Sequence, residues 1–389
     1  MTPDLLARLR HDTPACETLL HFNNAGSSLM PAPVFDLLTD ALQAERDMGG
    51  YEAEVHLAGP LAAFYSNFAA LLRVDPSEIA YVENATRAWD MAVYGLPFMP
   101  GDEVIVHISE YSSNWLGFVQ LARRKGIVLV EVPSDGSGQV DVAALERAIT
   151  ARTRLIALTH VPTQGGLVNP AAEVGRIARA HGVTYVLDAC QSVGQLDVNV
   201  AEIGCDILSG TGRKFLRGPR GTGFLYVSRR ILGTIEPPLI DLHAATWTGR
   251  DSYDLAPDAR RFENFESFVA GRAALGAAVG YAMDIGLPVI EARVKALAAG
   301  LRAGLAAIRG VRLHDLGVER CGIVTFTKDG HTATDMKMRL AAQRMNVSVS
   351  SHALLDFQAR GISALTRASV HYFNTEAEVE RFLRAVAAL

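Results

Sequence analysis

Ser209-Gly210-Thr211-Gly212-Arg213-Lys214-Phe215-Leu216 is a glycine-punctuated turn that follows a short strand-like run. Lys214 is one of only five lysines in the chain. Glycines let the backbone approach a ligand closely, and Thr211, Arg213 and free backbone amides could hold an anion there. This pattern suits a lysine that forms a Schiff base with an aldehyde cofactor beside the cofactor's phosphate. A basic loop that binds phosphate or nucleic acid is the alternative. The remaining lysines lie in segments typical of solvated helix faces, a helix end or a turn: Lys125, Lys295, Lys328 and Lys337.

An acid at the end of a predicted strand would give such a cofactor its electronic partner. The run Val183-Thr184-Tyr185-Val186-Leu187-Asp188 is β-branched and apolar and ends in that acid. Asp188 should therefore project from the carboxyl edge of a sheet, where open α/β sheets bind ligands. An aspartate there can hold the protonated ring nitrogen of pyridoxal phosphate, which keeps the ring an electron sink for a carbanion at a substrate's Cα. A helix N-cap or a metal ligand is the alternative role for Asp188.

Strand-like and helical patterns alternate between about residues 79 and 230. This alternation predicts an α/β fold with a doubly wound, mostly parallel sheet. The alanine-rich stretch from Ala270 to Ala307 predicts two helices that lead into a smaller α+β domain. The predicted strands cover residues 104–108, 128–132 and 155–159, and the predicted helices cover 140–149, 171–180 and 376–389.

Composition narrows the class of protein. The chain has 389 residues, 49% of them hydrophobic, and a formal net charge of -5, which gives no general attraction to nucleic acid or to an anionic membrane. The four cysteines have no paired metal-ligand spacing, and reduced thiols in a cytosolic protein are the plain expectation. No apolar stretch is long enough to span a bilayer, and the start lacks a basic-then-apolar signal. We therefore expect a cytoplasmic protein with no metal, nucleic-acid or membrane partner.

Seven short segments, in sequence order, resemble the class V aminotransferase group of fold-type I pyridoxal-phosphate enzymes. This group also contains cysteine desulfurases, isopenicillin-N-epimerase-like proteins and some C–S lyases. The resemblance covers nearly the whole chain and implies a large cofactor-binding domain of residues 15–255, with residues 1–14 and 256–389 forming the small domain. The segments are Phe22–Gly26, Glu83–Thr86, Glu110–Asn114, His160–Thr163, Asp188–Ser192, the Lys214 turn and Thr366–Thr375.

Several residues are expected to hold the 5'-phosphate and the ring of the cofactor. Ala85 and Thr86 open a predicted helix whose amides and dipole favour an anion, although Thr86 could instead be only the N-cap. The resemblance implies that Thr211 and Arg213 join them, with arginine standing where the family has histidine. It also implies that Tyr111 stacks over the ring, for which core packing is the alternative. The resemblance implies that Gln191 reaches the phenolic oxygen of the cofactor. It also implies that Thr163, which stands where many relatives carry asparagine, contacts the cofactor's oxygen or the substrate.

Arg367 is the expected clamp for a substrate's α-carboxylate, because a planar guanidinium binds a carboxylate through two parallel hydrogen bonds. A salt bridge between domains is the alternative. By resemblance alone, Asn24 lies near the substrate, and the active site is completed in a homodimer. The segment His243–Gly249 is polar and aromatic without strand or helix periodicity, as a loop lent to a neighbouring site would be.

One absence limits the sulfur chemistry. Cysteine desulfurases carry a nucleophilic cysteine on a loop shortly before the clamp arginine, and here that position reads Ser350-Ser351-His352-Ala353. A desulfurase that forms a persulfide is therefore not expected. The sequence favours an aminotransferase-like enzyme of the epimerase-like branch that acts at Cα of an amino acid, with Lys214 and Asp188 as catalytic residues. A C–S or other β-eliminating lyase is the alternative, and a non-catalytic phosphate or nucleic-acid binding module is the third reading.

Overall fold

A computed structural model describes residues 1–351 and 353–389, so His352 of the loop discussed above lies outside the described residues. The strands are β1 (Leu20–His21), β2 (Ile79–Val82), β3 (Glu103–His107), β4 (Val128–Val132), β5 (Thr153–Thr159), β6 (Thr184–Asp188), β7 (Ile207–Thr211), β8 (Gly223–Val227), β9 (Ala245–Gly249), β10 (Ser252–Leu255), β11 (Val311–Leu313), β12 (Ile323–Lys328), β13 (Met345–Asn346), β14 (Ser348–Ser350) and β15 (Leu365–Ser369).

The helices alternate with these strands along most of the chain. They are α1 (Pro3–His11), α2 (Ala32–Met48), α3 (Gly50–His56), α4 (Ala58–Leu72), α5 (Ala85–Val93), α6 (Ser112–Lys125), α7 (Val142–Ala148), α8 (Ala171–Ala180), α9 (Val200–Ile203), α10 (Arg229–Leu232), α11 (Val269–Ile285), α12 (Leu287–Ala306), α13 (Ala333–Ala342), α14 (Leu354–Arg360) and α15 (Glu376–Ala387). Short 3-10 turns cover Pro14–Glu17, Pro76–Glu78 and Ala259–Phe262.

A seven-stranded sheet forms the centre, in the order β2-β8-β7-β6-β5-β3-β4. Strand β8 runs antiparallel to both of its neighbours, and the other neighbouring pairs are parallel. The carboxyl ends of β5, β6 and β7 therefore meet at one edge, which is where Thr159, Asp188 and Thr211 lie. The predicted mostly parallel sheet is confirmed.

Helices cover both faces of this sheet, as its sequence pattern requires. Successive residues of a strand point to opposite faces, and accordingly Leu187 packs in one hydrophobic cluster and Val186 in another. The first cluster contains α8 and α11 residues, and the second contains α5 and α6 residues. Burial on both faces explains why these strands read as continuous apolar runs rather than alternating ones.

A smaller layer follows in the C-terminal part of the chain. The antiparallel sheet β11-β12-β15-β14 packs with α12, α13 and α15 around a third hydrophobic cluster that includes Phe326 and Phe382. In β15, Arg367 lies between Thr325 of β12 and Ser348 of β14. At the other end of the chain, Arg10 donates to Glu378 and to the carbonyl of Phe373. The domain boundaries at residues 14 and 255 stay a prediction.

Most of the predicted elements are confirmed, with bounds that differ by one or two residues. One expectation was wrong: part of His243–Gly249 is not an irregular loop but the strand β9, which pairs antiparallel with β10. Most side chains on both strands are exposed, so no buried face gave the segment an alternating pattern.

Over residues 1–351 and 353–389, no single helix is long and apolar enough to cross a membrane. By length and composition alone, two strongly bent helix pairs pass the same test: α3 with α4, and α11 with α12.

Candidate active site

A cavity of about 210 Å³ opens at the carboxyl edge of the large sheet. Every residue expected to bind the cofactor lines it: Ala85, Thr86, Tyr111, Thr163, Asp188, Gln191, Thr211, Arg213 and Lys214. Asn84, Thr159, Val161 and Cys190 complete its wall. The structure thus brings together residues from five separate segments, each of which was predicted from the sequence to contact the cofactor.

Lys214 follows β7 in a turn that the backbone closes on itself. Gly212 donates to the carbonyl of Thr222, and Gly218 donates to the carbonyl of Gly212. The Lys214 side chain is 8% exposed, and no described carboxylate lies within ion-pair distance of its ammonium group. Burial lowers the pKa of Lys214, and the positive charges of Arg213 and Arg367 lower it further against the opposing effects of Cys190 and Asp188. Such an amine is easier to deprotonate than an ordinary lysine, which nucleophilic and basic roles require.

Arg217 fixes this turn to both ends of the chain. The residue adopts a left-handed backbone conformation with φ of 62° and is almost completely buried. Its guanidinium donates to Thr13 Oγ1 at 2.6 Å, to the carbonyl of Leu29 at 2.7 Å and to Tyr372 Oη at 2.8 Å. These contacts over-determine a strained residue three positions after Lys214.

The N-terminus of α5 forms one end of the cavity. Asn84 is the N-cap, and its Oδ1 accepts from the backbone N–H of Arg87 at 2.9 Å, so the alternative in which Thr86 is only the N-cap is wrong. Ala85 and Thr86 occupy the first turn, where free amides and the helix dipole favour an anion. A Cβ on Gly223 would lie 2.9 Å from the carbonyl carbon of Asn84, so glycine lets β8 approach this helix start closely.

Thr211 and Arg213 approach the same cavity from the Lys214 turn. The Thr211 hydroxyl donates to the carbonyl of Thr222 at 3.3 Å. Arg213 Nη1 donates to the carbonyl of Gly26, and no described carboxylate lies within ion-pair distance of its guanidinium. Arg213 therefore carries an uncompensated charge to the cavity wall.

The opposite part of the cavity presents a carboxylate and an amide. Asp188 accepts from the backbone N–H of Cys190 and from Asn114 Nδ2, each at 2.9 Å, and has no cationic partner among the described residues. Gln191 Nε2 donates to Thr163 Oγ1 at 3.0 Å and to the carbonyl of Ala25 at 3.1 Å, while its Oε1 is buried without a hydrogen-bond partner. Buried polar groups rarely stay unpaired, so this acceptor is suited to a hydroxyl of a bound molecule.

Tyr111 covers the cavity from the start of α6. It is the residue before the helix and is 38% exposed, which argues against the alternative that it packs in the core. The Lys214 Nζ atom lies 6.0 Å from the centroid of the Tyr111 ring.

Arg367 lies just outside the cavity wall, behind Thr163. It is 7% exposed, its Nη1 donates to the carbonyl of Thr163 at 3.1 Å and to the Thr163 hydroxyl, and its Nε has no partner. Burial, and then the charge of Arg213, lowers the pKa of Arg367 to about 10. No described carboxylate pairs with it, so the alternative of a salt bridge between domains lacks a partner. A buried, uncompensated guanidinium is suited to an incoming carboxylate.

Asn24 uses its whole side chain within the protein. Its Nδ2 donates to the carbonyls of Ser369 and His21 at 2.8 and 3.3 Å, and its Oδ1 accepts from Ser28 Oγ at 2.7 Å. The neighbouring Asn23 has a buried Oδ1 without a partner. Asn24 thus ties the N-terminal segment to β15, and its contact with a substrate stays a prediction.

Sequence reasoning assigned no role to Glu110 and Asn114, although both belong to a segment that it quoted. Glu110 is buried, and its Oε1 accepts from Thr159 Oγ1 at 2.5 Å, from Asn114 Nδ2 at 2.8 Å and from the backbone N–H of Tyr111 at 3.2 Å. Burial, and then the charge of Asp188, raises the pKa of Glu110 to about 7. The sequence pattern that could have indicated this pair is an acid followed four residues later by an amide, across the start of a predicted helix.

The thiols offer little nucleophilic character. Cys190, at the cavity wall, has its pKa raised to about 12, and Cys321 has its pKa raised to about 11, in both cases chiefly by burial. A thiol acts as a nucleophile through its thiolate, which such shifts suppress near neutral pH. In the described part of the chain, no cluster of three or more potential metal ligands is found.

This fold, with its lysine, aspartate and helix N-terminus around one cavity, defines a pyridoxal-phosphate-dependent type of enzyme. A family model described as Aminotransferase class-V matches residues 20–382, so the chain belongs to that family. The predicted pyridoxal-phosphate cofactor is confirmed, because the family depends on it and a similar solved structure holds it.

Curated relatives are similar over nearly their whole length. A probable cysteine desulfurase of Methanothermobacter thermautotrophicus is 29% identical over 381 residues, which cover 96% of this chain and 95% of the relative.

Solved structures of similar fold also match nearly the whole chain. The apo structure of a cysteine desulfurase from Thermococcus onnurineus NA1 is 28% identical, with a TM-score of 0.92 and coverage of 100% of this chain and 98% of the other. A C-DES mutant, 25% identical with a TM-score of 0.88 over 97% of this chain and 98% of its own, holds glycine covalently linked to its PLP cofactor. The cystine C–S lyase C-DES in complex with its product cysteine persulfide is 25% identical, with a TM-score of 0.87 over 96% of this chain and 99% of its own.

Proposed function

We propose that this protein is a pyridoxal-phosphate-dependent lyase that breaks the C–S bond of a cysteine-type amino acid by β-elimination. One observation supports this proposal above the others. The buried Lys214 amine lines the cavity without an ion-pair partner, and Cys190, the only thiol among the described lining residues, stays protonated because its pKa is raised. The cystine C–S lyase among the similar structures supports this chemistry. The proposal departs from the aminotransferase-like, epimerase-like outcome that the sequence favoured.

The residues at the cavity fit the cofactor part by part. The first-turn amides of Ala85 and Thr86 would hold the phosphate, together with Thr211 and the charge of Arg213. Asp188 would pair with the ring nitrogen, the Tyr111 ring would cover the pyridine face, and the unpaired Oε1 of Gln191 would accept from the phenolic hydroxyl, with Thr163 beside it. Bound there, pyridoxal phosphate supplies an electron sink for the negative charge that develops at a substrate's Cα.

The reaction then needs two further groups from the chain. Arg367 binds the α-carboxylate through the face of its guanidinium that includes the unpaired Nε, which orients the Cα–H bond. The Lys214 Nζ atom removes the Cα proton as a general base, and its lowered pKa increases the share of free amine near neutral pH. The Cβ–S bond breaks, and the sulfur departs with its bonding electrons. With cysteine as substrate, cysteine and water yield pyruvate, ammonia and hydrogen sulfide.

Transfer of sulfur to the enzyme is not part of the proposal, although curated relatives are named cysteine desulfurases. That transfer needs a reactive thiol, and neither Cys190 nor Cys321 is suited to it. The segment Ser350-Ser351-His352-Ala353 carries no cysteine.

Product analysis tests this function. Purified protein loaded with pyridoxal phosphate is incubated with cysteine or cystine, with and without a keto acid, and products are quantified by mass spectrometry. We expect pyruvate and ammonia in equal amounts, with sulfide from cysteine, and none of them from the Lys214→Ala variant. Alanine formed together with persulfide would point to desulfuration. Amino transfer that depends on the keto acid, or an inverted Cα, would instead support the outcome that the sequence favoured.

The protein is further proposed to work as a homodimer. Large apolar side chains are exposed on α3, on the 265–268 segment and on the β9–β10 hairpin, including Trp247 at 74% exposure. Tyr51, Phe265 and Phe268 surround one cavity of about 370 Å³. Exposed apolar surface of this kind is typical of a protein–protein contact.

A further inference from the structure

A single amide group joins two buried carboxyl groups behind the cavity. Asn114 Nδ2 donates to Glu110 Oε1 at 2.8 Å and to Asp188 Oδ2 at 2.9 Å. Thr159, which lies opposite Asp188 in the register of β5 and β6, donates its hydroxyl to the same Glu110 oxygen at 2.5 Å. Glu110 itself does not line the cofactor cavity, but its hydrogen-bond partners Thr159 and Tyr111 do, and Asn114 connects it to Asp188 on the cavity wall.

The second oxygen of Glu110 has no compensation. Its Oε2 is buried without a hydrogen-bond partner, and no cation among the described residues lies within ion-pair distance. Among the described residues, the titratable groups coupled to Glu110 by charge are Asp188 and Tyr185, both on β6.

On its other side, Glu110 borders an apolar cavity of about 180 Å³. The other lining residues within 1–351 and 353–389 are uncharged: Ile108, Ser112, Trp115, Leu116, Ala353, Leu354 and Leu355. Toward the cofactor cavity, a negative charge on Glu110 meets neutral hydrogen-bond donors and Asp188, and no described cation within ion-pair distance.

We propose that Glu110, acting through Asn114, is a positioning residue that fixes the orientation of Asp188 and sets the negative potential at the ring nitrogen of the cofactor. The inference rests on the proposed cofactor site. The pyridine nitrogen is weakly basic, and Asp188 would be its direct partner. A second negative charge, on Glu110 behind Asp188, favours the protonated form of the ring. Because burial and Asp188 raise the pKa of Glu110 to about 7, most Glu110 side chains are neutral at pH 6 and most are charged at pH 8.5.

Binding of the cofactor to apoprotein separates this role from a structural one. The Glu110→Gln variant removes the charge but keeps an oxygen that can accept from Asn114. We expect its affinity for pyridoxal phosphate to fall on the order of tenfold at pH 8.5, from a charge interaction over several ångströms at an intermediate dielectric, and to be unchanged at pH 6. The 1-deaza analogue, with carbon in place of the ring nitrogen, should bind wild type and variant equally at both pH values.

Two further variants complete the design. Glu103→Gln removes another buried glutamate, at the opposite end of β3 and paired with Arg152, and should not change cofactor affinity at either pH. Asn114→Ala should weaken pyridoxal phosphate but not the deaza analogue, which tests the bridge even if Glu110→Gln does not fold.

An equal loss at both pH values, an equal loss with the deaza analogue, or no loss would each overturn the proposal. Failure of wild-type apoprotein to bind pyridoxal phosphate would instead refute the cofactor site on which it rests.

Discussion

Replacing Arg367 by lysine tests the carboxylate clamp, because the change keeps the positive charge and removes the forked geometry. In the structure only Nη1 is engaged, with Thr163, and Nε has no partner, so a side of the guanidinium is free for two parallel bonds to a carboxylate. A lysine ammonium can replace one of these two bonds. The loss of one charge-assisted hydrogen bond costs about 1.5–3 kcal/mol, or roughly ten- to hundred-fold in kcat/KM.

The assay compares kcat/KM for β-elimination of the amino-acid substrate by wild type, Arg367→Lys and Arg384→Lys. Arg384 is an exposed arginine on α15 and serves as the matched control. Binding of cysteamine, which lacks the carboxylate, is measured in parallel as competitive inhibition and should be the same in all three proteins. Unchanged kcat/KM in Arg367→Lys, or weaker binding of cysteamine by the same factor, would refute the clamp.

Three more predictions concern other residues. Borohydride reduction of the loaded protein should leave a pyridoxyl group on Lys214 alone, and peptide mass spectrometry that finds it on another lysine would overturn the assignment. For Glu110, burial raises the folded-state pKa from 4.5 to about 7, so the folded protein binds this proton more tightly than the unfolded chain does. The contribution of protonated Glu110 to the free energy of unfolding is therefore complete below about pH 4.5 and is lost as the pH rises through 7. The Glu110→Gln apoprotein should therefore gain up to about 3 kcal/mol relative to wild-type apoprotein at pH 8, or roughly 4 °C in Tm, and nothing at pH 4.5. Calorimetric melts that differ equally at both pH values would contradict this. Light scattering should give an active species of twice the 41.8 kDa chain mass, and Trp247→Ser should shift it toward monomer; a fully active monomer would exclude the dimer.

The sequence predicted those parts of the site that depend on local order. Asp188 ends a strand whose apolar run is visible in the sequence, and Lys214 follows another short strand, so their position at the carboxyl edge could be predicted from strand ends alone. The β9 strand could not be predicted, because its partner is only β10 and most of its side chains stay exposed.

The Glu110–Asn114–Asp188 bridge was missed for a different reason. It depends on the positions of three strands, since Glu110 follows β3, Asp188 ends β6, and β5 with Thr159 lies between them. Each residue in isolation has ordinary roles, and only the tertiary arrangement shows that one amide serves both acids. Networks of buried polar groups are set by such arrangements and leave little trace in local patterns.

The contacts of Arg217 have a consequence for the order in which the molecule matures. Thr13 and Tyr372 are more than three hundred residues apart, and both hold the turn that carries Lys214. During synthesis the central sheet can form long before Tyr372 has emerged, but the turn gains this support only after Tyr372 has emerged. We expect stable attachment of the cofactor to be a late event, and ribosome-bound chains that end before Tyr372 and already retain the cofactor would disprove it. Stable attachment of the cofactor at Lys214 would then show that synthesis has passed Tyr372.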